Sequence, residues 1–252
     1  MHIMLISAIK NFSIPSINRP KLQQVPSFRG LDAQQADVFT PSNESLDIGR
    51  IKNLGLRNFR ILNSKIIRGA CLAHEKPYVL GELRDSGIKT IIDLRSEGGY
   101  ESKYAKYCRA NDINYFNIKI KDSDYMFVPR GNVKLSAQEF DVYRENFVKN
   151  LKHFFELMDE GKVYIGCLHG LHRTDLAAVT NYLLNPNERT IPLLSHMVYP
   201  NESNLMNERI KCVRNLYANL TPEHKAYLGI PENYSEELDN RKKMLTIYNT
   251  KL

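Results

Sequence analysis

Two kinds of apolar pattern alternate along the chain. Ile88-Lys89-Thr90-Ile91-Ile92-Asp93-Leu94-Arg95 and Val163-Tyr164-Ile165-Gly166-Cys167 are short runs, rich in β-branched residues, that read as buried strands. Between them Tyr100 to Ala110 makes an amphipathic helix and Ile113 to Ile120 a further strand. Ser136 and Glu139 form a capping box. Behind it Phe140, Phe147, Leu151, Phe154, Phe155 and Met158 recur on one face until Gly161, which predicts a long core helix. Ahead of the first run, Pro77 suits a first helical turn, Val79, Leu80 and Leu83 supply an apolar face, and Gly87 ends the helix. After the second run Leu176, Ala177, Val179, Leu183 and Leu184 define another. Strands and helices in alternation predict an α/β fold with a central, mostly parallel sheet flanked by helices.

Residues 1–45 are rich in Asn, Gln, Ser and Pro and show no sustained period, which predicts a disordered arm. Phe28-Arg29-Gly30 and Phe39-Thr40-Pro41 are docking candidates within it, although a tolerated tail is the simpler reading. Beyond Pro186, residues 203–219 and 233–247 look like extra C-terminal helices, with Pro222 and Pro231 as breaks. They are expected to cover the sheet. The expected division is an arm at 1–45, a domain at 46–200, and a helical extension at 201–252 packed on it.

Composition narrows the function. With 252 residues, 42% hydrophobic and 25% charged, the chain suits one globular domain with appended material. No stretch approaches the ~18 apolar residues of a membrane span. Met1 to Ile9 is apolar but short and lacks a preceding basic region, so it does not read as a secretory signal, and a cytoplasmic location is expected. Cys71, Cys108, Cys167 and Cys212 match no zinc or disulfide spacing, as reduced thiols would. The net charge of +7 favours anionic partners. The basic residues are scattered, so nucleic acid is not expected. Nothing indicates an oligomeric state.

The chemistry concentrates at Cys167-Leu168-His169-Gly170-Leu171-His172-Arg173-Thr174, between a strand and a helix. Five residues with a central glycine separate the cysteine from the arginine, enough for a tight loop whose N–H groups converge on one anion. The helix adds its unpaired N–H groups and the positive end of its dipole. Such surroundings bring a cysteine pKa down to ~3.5–7.5, making Cys167 a candidate nucleophile. Arg173 can present a planar fork to two phosphoryl oxygens, and Thr174 places a hydroxyl near the thiolate. Leu168, His169, Gly170, Leu171 and His172 form the loop wall. His169 and His172 with Cys167 also spell a metal-like pattern, but side chains in a curled loop alternate direction and no fourth ligand is at hand. They read instead as rim cations when protonated, with no metal and no cofactor.

This segment resembles the signature loop of the cysteine-dependent protein tyrosine phosphatase superfamily: Cys, five residues, Arg, then Ser or Thr. Its Gly170 to Thr174 ending is most similar to the atypical dual-specificity branch of bacteria, fungi and plants. Asn58-Phe59-Arg60, the strand Ile66-Ile67-Arg68-Gly69-Ala70, and Ile88 to Arg95 resemble further segments of that branch, so the likeness spans Asn58 to Asn185. Rhodanese loops are similar but usually have one residue fewer before the arginine. The resemblance implies a phosphatase-like α/β fold and hydrolysis of phosphoproteins or inositol phosphates through a cysteinyl-phosphate. It also implies a general acid after the third strand, for which aligning residues 117–122 selects Asp122, with Asp124 as runner-up. Arg95 has two readings, substrate or loop support and a salt bridge with Asp93 or Glu97. Two departures matter. Gly166 stands where the family usually has His, and Asp175 where it often has Gly, placing a carboxylate beside the sulfur. The alternative is therefore a phosphate-binding pseudophosphatase acting as an interaction module, with a sulfurtransferase third.

Overall fold

The computed structural model describes residues 45–72, 75–76, 78–95, 101–118, 136–192, 194 and 203–250. The predicted N-terminal arm, Pro77, and the segment carrying Asp122 and Asp124 lie outside them.

Among the described residues five strands form one sheet in the order β1-β2-β5-β3-β4. They are β1 (Arg60–Ile61), β2 (Ile66–Ala70), β3 (Thr90–Asp93), β4 (Asn114–Asn117) and β5 (Val163–Cys167). β2, β5, β3 and β4 run parallel and the two-residue edge strand β1 is antiparallel, so the expected mostly parallel sheet is present. β5 is central, held on both sides through Ala70↔Cys167 and Asp93↔Gly166. Cys167 therefore emerges at the carboxyl edge of the sheet, where open α/β sheets place their ligands.

Alternation along the strands divides the apolar residues between two faces. Ile67, Ile91 and Tyr164 point into one cluster, with Val79, Leu80 and Leu83 of α2 (Tyr78–Asp85) and Cys108 of α3 (Glu101–Ala110). Ile66, Ile92, Val163 and Ile165 point into the other, with Leu151, Phe154 and Phe155 of α4 (Ala137–Glu160) and Leu176, Val179 and Leu183 of α5 (His172–Leu184). The capping box opens α4, with Ser136 Oγ accepting from the Glu139 N–H and Glu139 accepting from the Ser136 N–H at 2.9 Å. A short helix not anticipated, α1 (Ile48–Lys52), is capped by Asp47.

Three C-terminal helices follow: α6 (Ser203–Asn219), α7 (Pro222–Leu228) and α8 (Ser235–Thr250). Pro222, expected to mark a break, occupies the first turn of α7, where its missing N–H is harmless, with Thr221 as N-cap. α6 and α8 lie against α5, and α7 against α4. Residues 174 to 184 of α5 are all buried, as expected of a helix enclosed by a sheet and by other helices. Arg241 of α8 donates from Nη1 to the carbonyls of Tyr182 at 2.7 Å and Asn185 at 3.0 Å, capping the far end of α5.

Candidate active site

The loop from Leu168 to Leu171 joins β5 to α5. Three successive carbonyls in it are bound from outside. Arg57 Nη2 donates to Leu168 O at 3.1 Å, Asn58 Nδ2 to His169 O at 2.7 Å, and Arg68 Nη1 to Gly170 O at 3.1 Å. In a trans peptide the next N–H points opposite to the carbonyl. The N–H groups of His169, Gly170 and Leu171 are therefore turned away from these three tethers. Among the described residues, none of these three N–H groups nor that of Leu168 donates to a protein acceptor. Unpaired donors gathered in one loop and continued by the first turn of α5 are the arrangement in which protein backbones can receive an anion.

The tethers are built into the backbone. Asn58 has φ +54, a left-handed conformation that asparagine tolerates. The preceding Arg57 carbonyl accepts from Ala70 N–H at 2.9 Å, fixing the segment to the end of β2. Gly170 has φ +69 and lies so close to β2 that a Cβ would come within 2.2 Å of the Gly69 carbonyl carbon. No side chain fits there.

Cys167 is buried at the base of the loop, with 4% of its surface exposed. Leu168, His169 and His172 are exposed, which puts both histidines at the rim. Arg173 is half-buried and its Nη1 is 3.5 Å from the Leu94 carbonyl. Thr174 is fully buried, and its Oγ1 has no hydrogen-bond partner among the described residues. A buried orphan hydroxyl is rare enough to call for a reason, and one beside this loop is available to a group that enters or forms there.

Both departures from the family pattern have structural answers. A Cβ at Gly166 would stand 3.2 Å from Tyr164 Cε1, and one at Gly69 would collide with the Tyr164 hydroxyl. The Tyr164 ring thus fills the space that a side chain at position 166 needs. Its hydroxyl donates to Ala70 O at 2.7 Å, opposite Cys167 in the ladder. Asp175 points into a buried ion cluster, 2.6 Å from Arg68 Nη1 and 3.2 Å from Arg209 Nη2 of α6. Burial pushes the Arg68 guanidinium below its ordinary value, opposed by the charge of Asp175.

Of the two readings of Arg95, the structure has the ion pair. Its side chain makes a fork on Asp93, with Nη2 to Oδ2 at 2.6 Å, and is 4% exposed. Tyr115 donates to the same carboxylate at 2.8 Å, and Asn117 Nδ2 donates to the Asp93 and Arg95 carbonyls. This network stiffens the carboxyl edge of β3, next to Leu94. The roles of Arg57 and Arg209 were not visible in the sequence. No local signal marks an arginine whose partner is a distant carbonyl or carboxylate.

The chain belongs to the tyrosine phosphatase family, whose sequence model matches residues 47–192. No curated protein sequence matches it. Similar solved structures include a DUF442 protein of Shewanella putrefaciens CN-32, 16% identical, with 68% of this chain and 96% of that one covered at a TM-score of 0.43. The core catalytic domain of the PP-IP phosphatase Siw14 from S. cerevisiae is 13% identical, with 75% and 95% covered and a TM-score of 0.36. TpbA of P. aeruginosa is 12% identical, with 75% and 91% covered and a TM-score of 0.36.

Proposed function

We propose that this chain is a cysteine-dependent phosphatase that hydrolyses phosphate monoesters of phosphoproteins or inositol phosphates through a cysteinyl-phosphate. The observation that supports it best is the set of three tethers from Arg57, Asn58 and Arg68, which hold consecutive loop carbonyls and turn the N–H groups that follow them to the opposite side.

The Cys167 thiolate attacks phosphorus, and the bond from phosphorus to the ester oxygen breaks. Loop N–H groups and the Arg173 fork hold the equatorial oxygens, where charge accumulates. Asp122 gives its proton to the departing oxygen. Water then attacks the phosphorus with Asp122 as base, the P–S bond breaks, and thiolate and inorganic phosphate are released. Thr174 offers its unpartnered hydroxyl to the sulfur as charge returns to it. Leu168, His169, Gly170, Leu171 and His172 line the substrate, and the exposed His169 and His172 at the rim give a substrate bearing several phosphates two further hydrogen-bonding side chains.

The test is release of phosphate from an aryl phosphate, then from a panel of phosphopeptides and inositol phosphates. Cys167→Ser should reduce release to background. Asp122→Asn should lower kcat by ~10²–10⁴-fold, with Asp124→Asn much milder. Tight phosphate binding by the wild type without turnover would instead establish a pseudophosphatase.

A further inference from the structure

The net charge of +7 favours an anionic partner, although the basic residues are scattered in sequence. The fold gathers three of them. Between α6 and α8 lies a groove of about 490 Å³, lined by Asn207, Lys211, Arg214 and Asn215 of α6 and by Lys242 of α8. Buried Ile210 and the small Ala218 complete its wall. Asn207, Lys211, Arg214 and Ala218 recur at intervals of three and four, so they share one face of α6. That stripe is ~16 Å long at 1.5 Å per residue, the reach of about five extended residues.

Among the described residues no carboxylate lines the groove, and neither Lys211 nor Lys242 is held in an ion pair. Arg214 shows what these cations attract. Asp239 of α8, its side chain 63% exposed, stands 3.5 Å from Arg214 Nη2. We infer that this groove is a docking site for an acidic segment of a partner protein, with Lys211, Arg214 and Lys242 receiving its carboxylates and Asn207 and Asn215 its backbone. Docking here needs no turnover at Cys167, so it stands apart from the phosphatase reading.

The lining favours a peptide over other anions. A carboxamide both donates and accepts, and a peptide backbone answers both, whereas fully ionised phosphate esters only accept. A membrane surface is flat and would need exposed apolar side chains, but Ile210 is 3% exposed. Among the described residues no aromatic side chain lines the groove to stack on a nucleic-acid base. Asp239 is then a weak internal competitor, holding the cation that a partner's carboxylate would take.

The experiment is fluorescence anisotropy of a labelled Glu-rich peptide, and of its Gln counterpart, titrated with the full chain. The Glu peptide should bind, more weakly as salt rises, and the Gln peptide should not. Lys211→Glu combined with Lys242→Glu should weaken binding about tenfold, through the loss of two exposed ion pairs. Lys52→Glu combined with Lys106→Glu makes the same change in net charge at exposed sites of α1 and α3, and should leave binding nearly unchanged. Asp239→Asn should tighten it about twofold, a gain that misfolding cannot produce. An unbound Glu peptide, equal losses in the two double variants, or no gain in Asp239→Asn would overturn the inference. So would tighter binding of inositol hexakisphosphate or of phosphatidylserine vesicles that the groove variants abolish.

Discussion

Asn58 carries two duties, one of the backbone and one of the side chain. Its backbone needs a residue that tolerates φ +54, and its side chain must donate to the His169 carbonyl. Asn58→Ala loses the donor and strains the turn. About 1 kcal/mol of lost hydrogen bonding corresponds to a ~5-fold fall in kcat/KM. Asn58→Asp keeps the turn but sets a carboxylate against a carbonyl oxygen, so aryl phosphate kinetics should show it to be worse than alanine. Equal rates for wild type and Asn58→Asp would refute the tether. Cys108 provides the contrast to Cys167. Burial pushes its thiol up to about 12, so it should resist alkylation at pH 8. The pH dependence follows by linkage. The unfolded thiol ionises above ~8.5 while the folded one keeps its proton, so stability is lost as pH rises from there toward 12. Urea unfolding at pH 8 and pH 10 should show a larger loss for wild type than for Cys108→Val.

At the scale of elements, α5 is the part on which the site depends, and it is held at both ends. Its first turn meets Arg209 through Asp175, and its last carbonyls meet Arg241. A cation at a helix C-terminus is favoured by the dipole, and hydrogen bonds from a charged donor are worth ~1.5–3 kcal/mol. Arg241→Met should therefore lower Tm by about 5–10 °C, measurable by calorimetry, with the loop tethers left in place. Much of this architecture was legible in the sequence because it is local. The strand, loop and helix around Cys167 are contiguous, the capping box of α4 lies within four residues, and α6 was read over its full length. What escaped was either too short to show a period, as with β1 and α1, or ambiguous, since Pro222 can stop a helix or start one. The tethers escaped for another reason. Arg57 and Asn58 lie 111 residues from the carbonyls they bind, and Arg68 lies 102 from its own. Only the fold makes them neighbours, although the Asn58-Phe59-Arg60 likeness pointed to the right segment.

Across the whole molecule, α6, α7 and α8 share one apolar core with the sheet. Met206, Ile210, Val213, Leu216, Leu228, Leu238 and Leu245 join the cluster that contains Ile165 and Leu183. A chain ending at residue 202 would expose the apolar surface of α5 and leave Asp175 without Arg209. It should unfold without cooperativity and bind a hydrophobic dye such as ANS, whereas Arg209→Met alone should not. The enclosure of α5 has a further consequence for biosynthesis. Residues 47–192 leave the ribosome before α6, α7 and α8, and at ~5–20 residues per second Arg209 and Arg241 follow about one to ten seconds later. During that interval the surface of α5 that α6 and α8 cover in the folded chain is exposed, the condition under which nascent chains meet chaperones. Phosphate release from a ribosome-stalled chain that lacks α8 is therefore expected to stay at background, and it should appear once α8 is included.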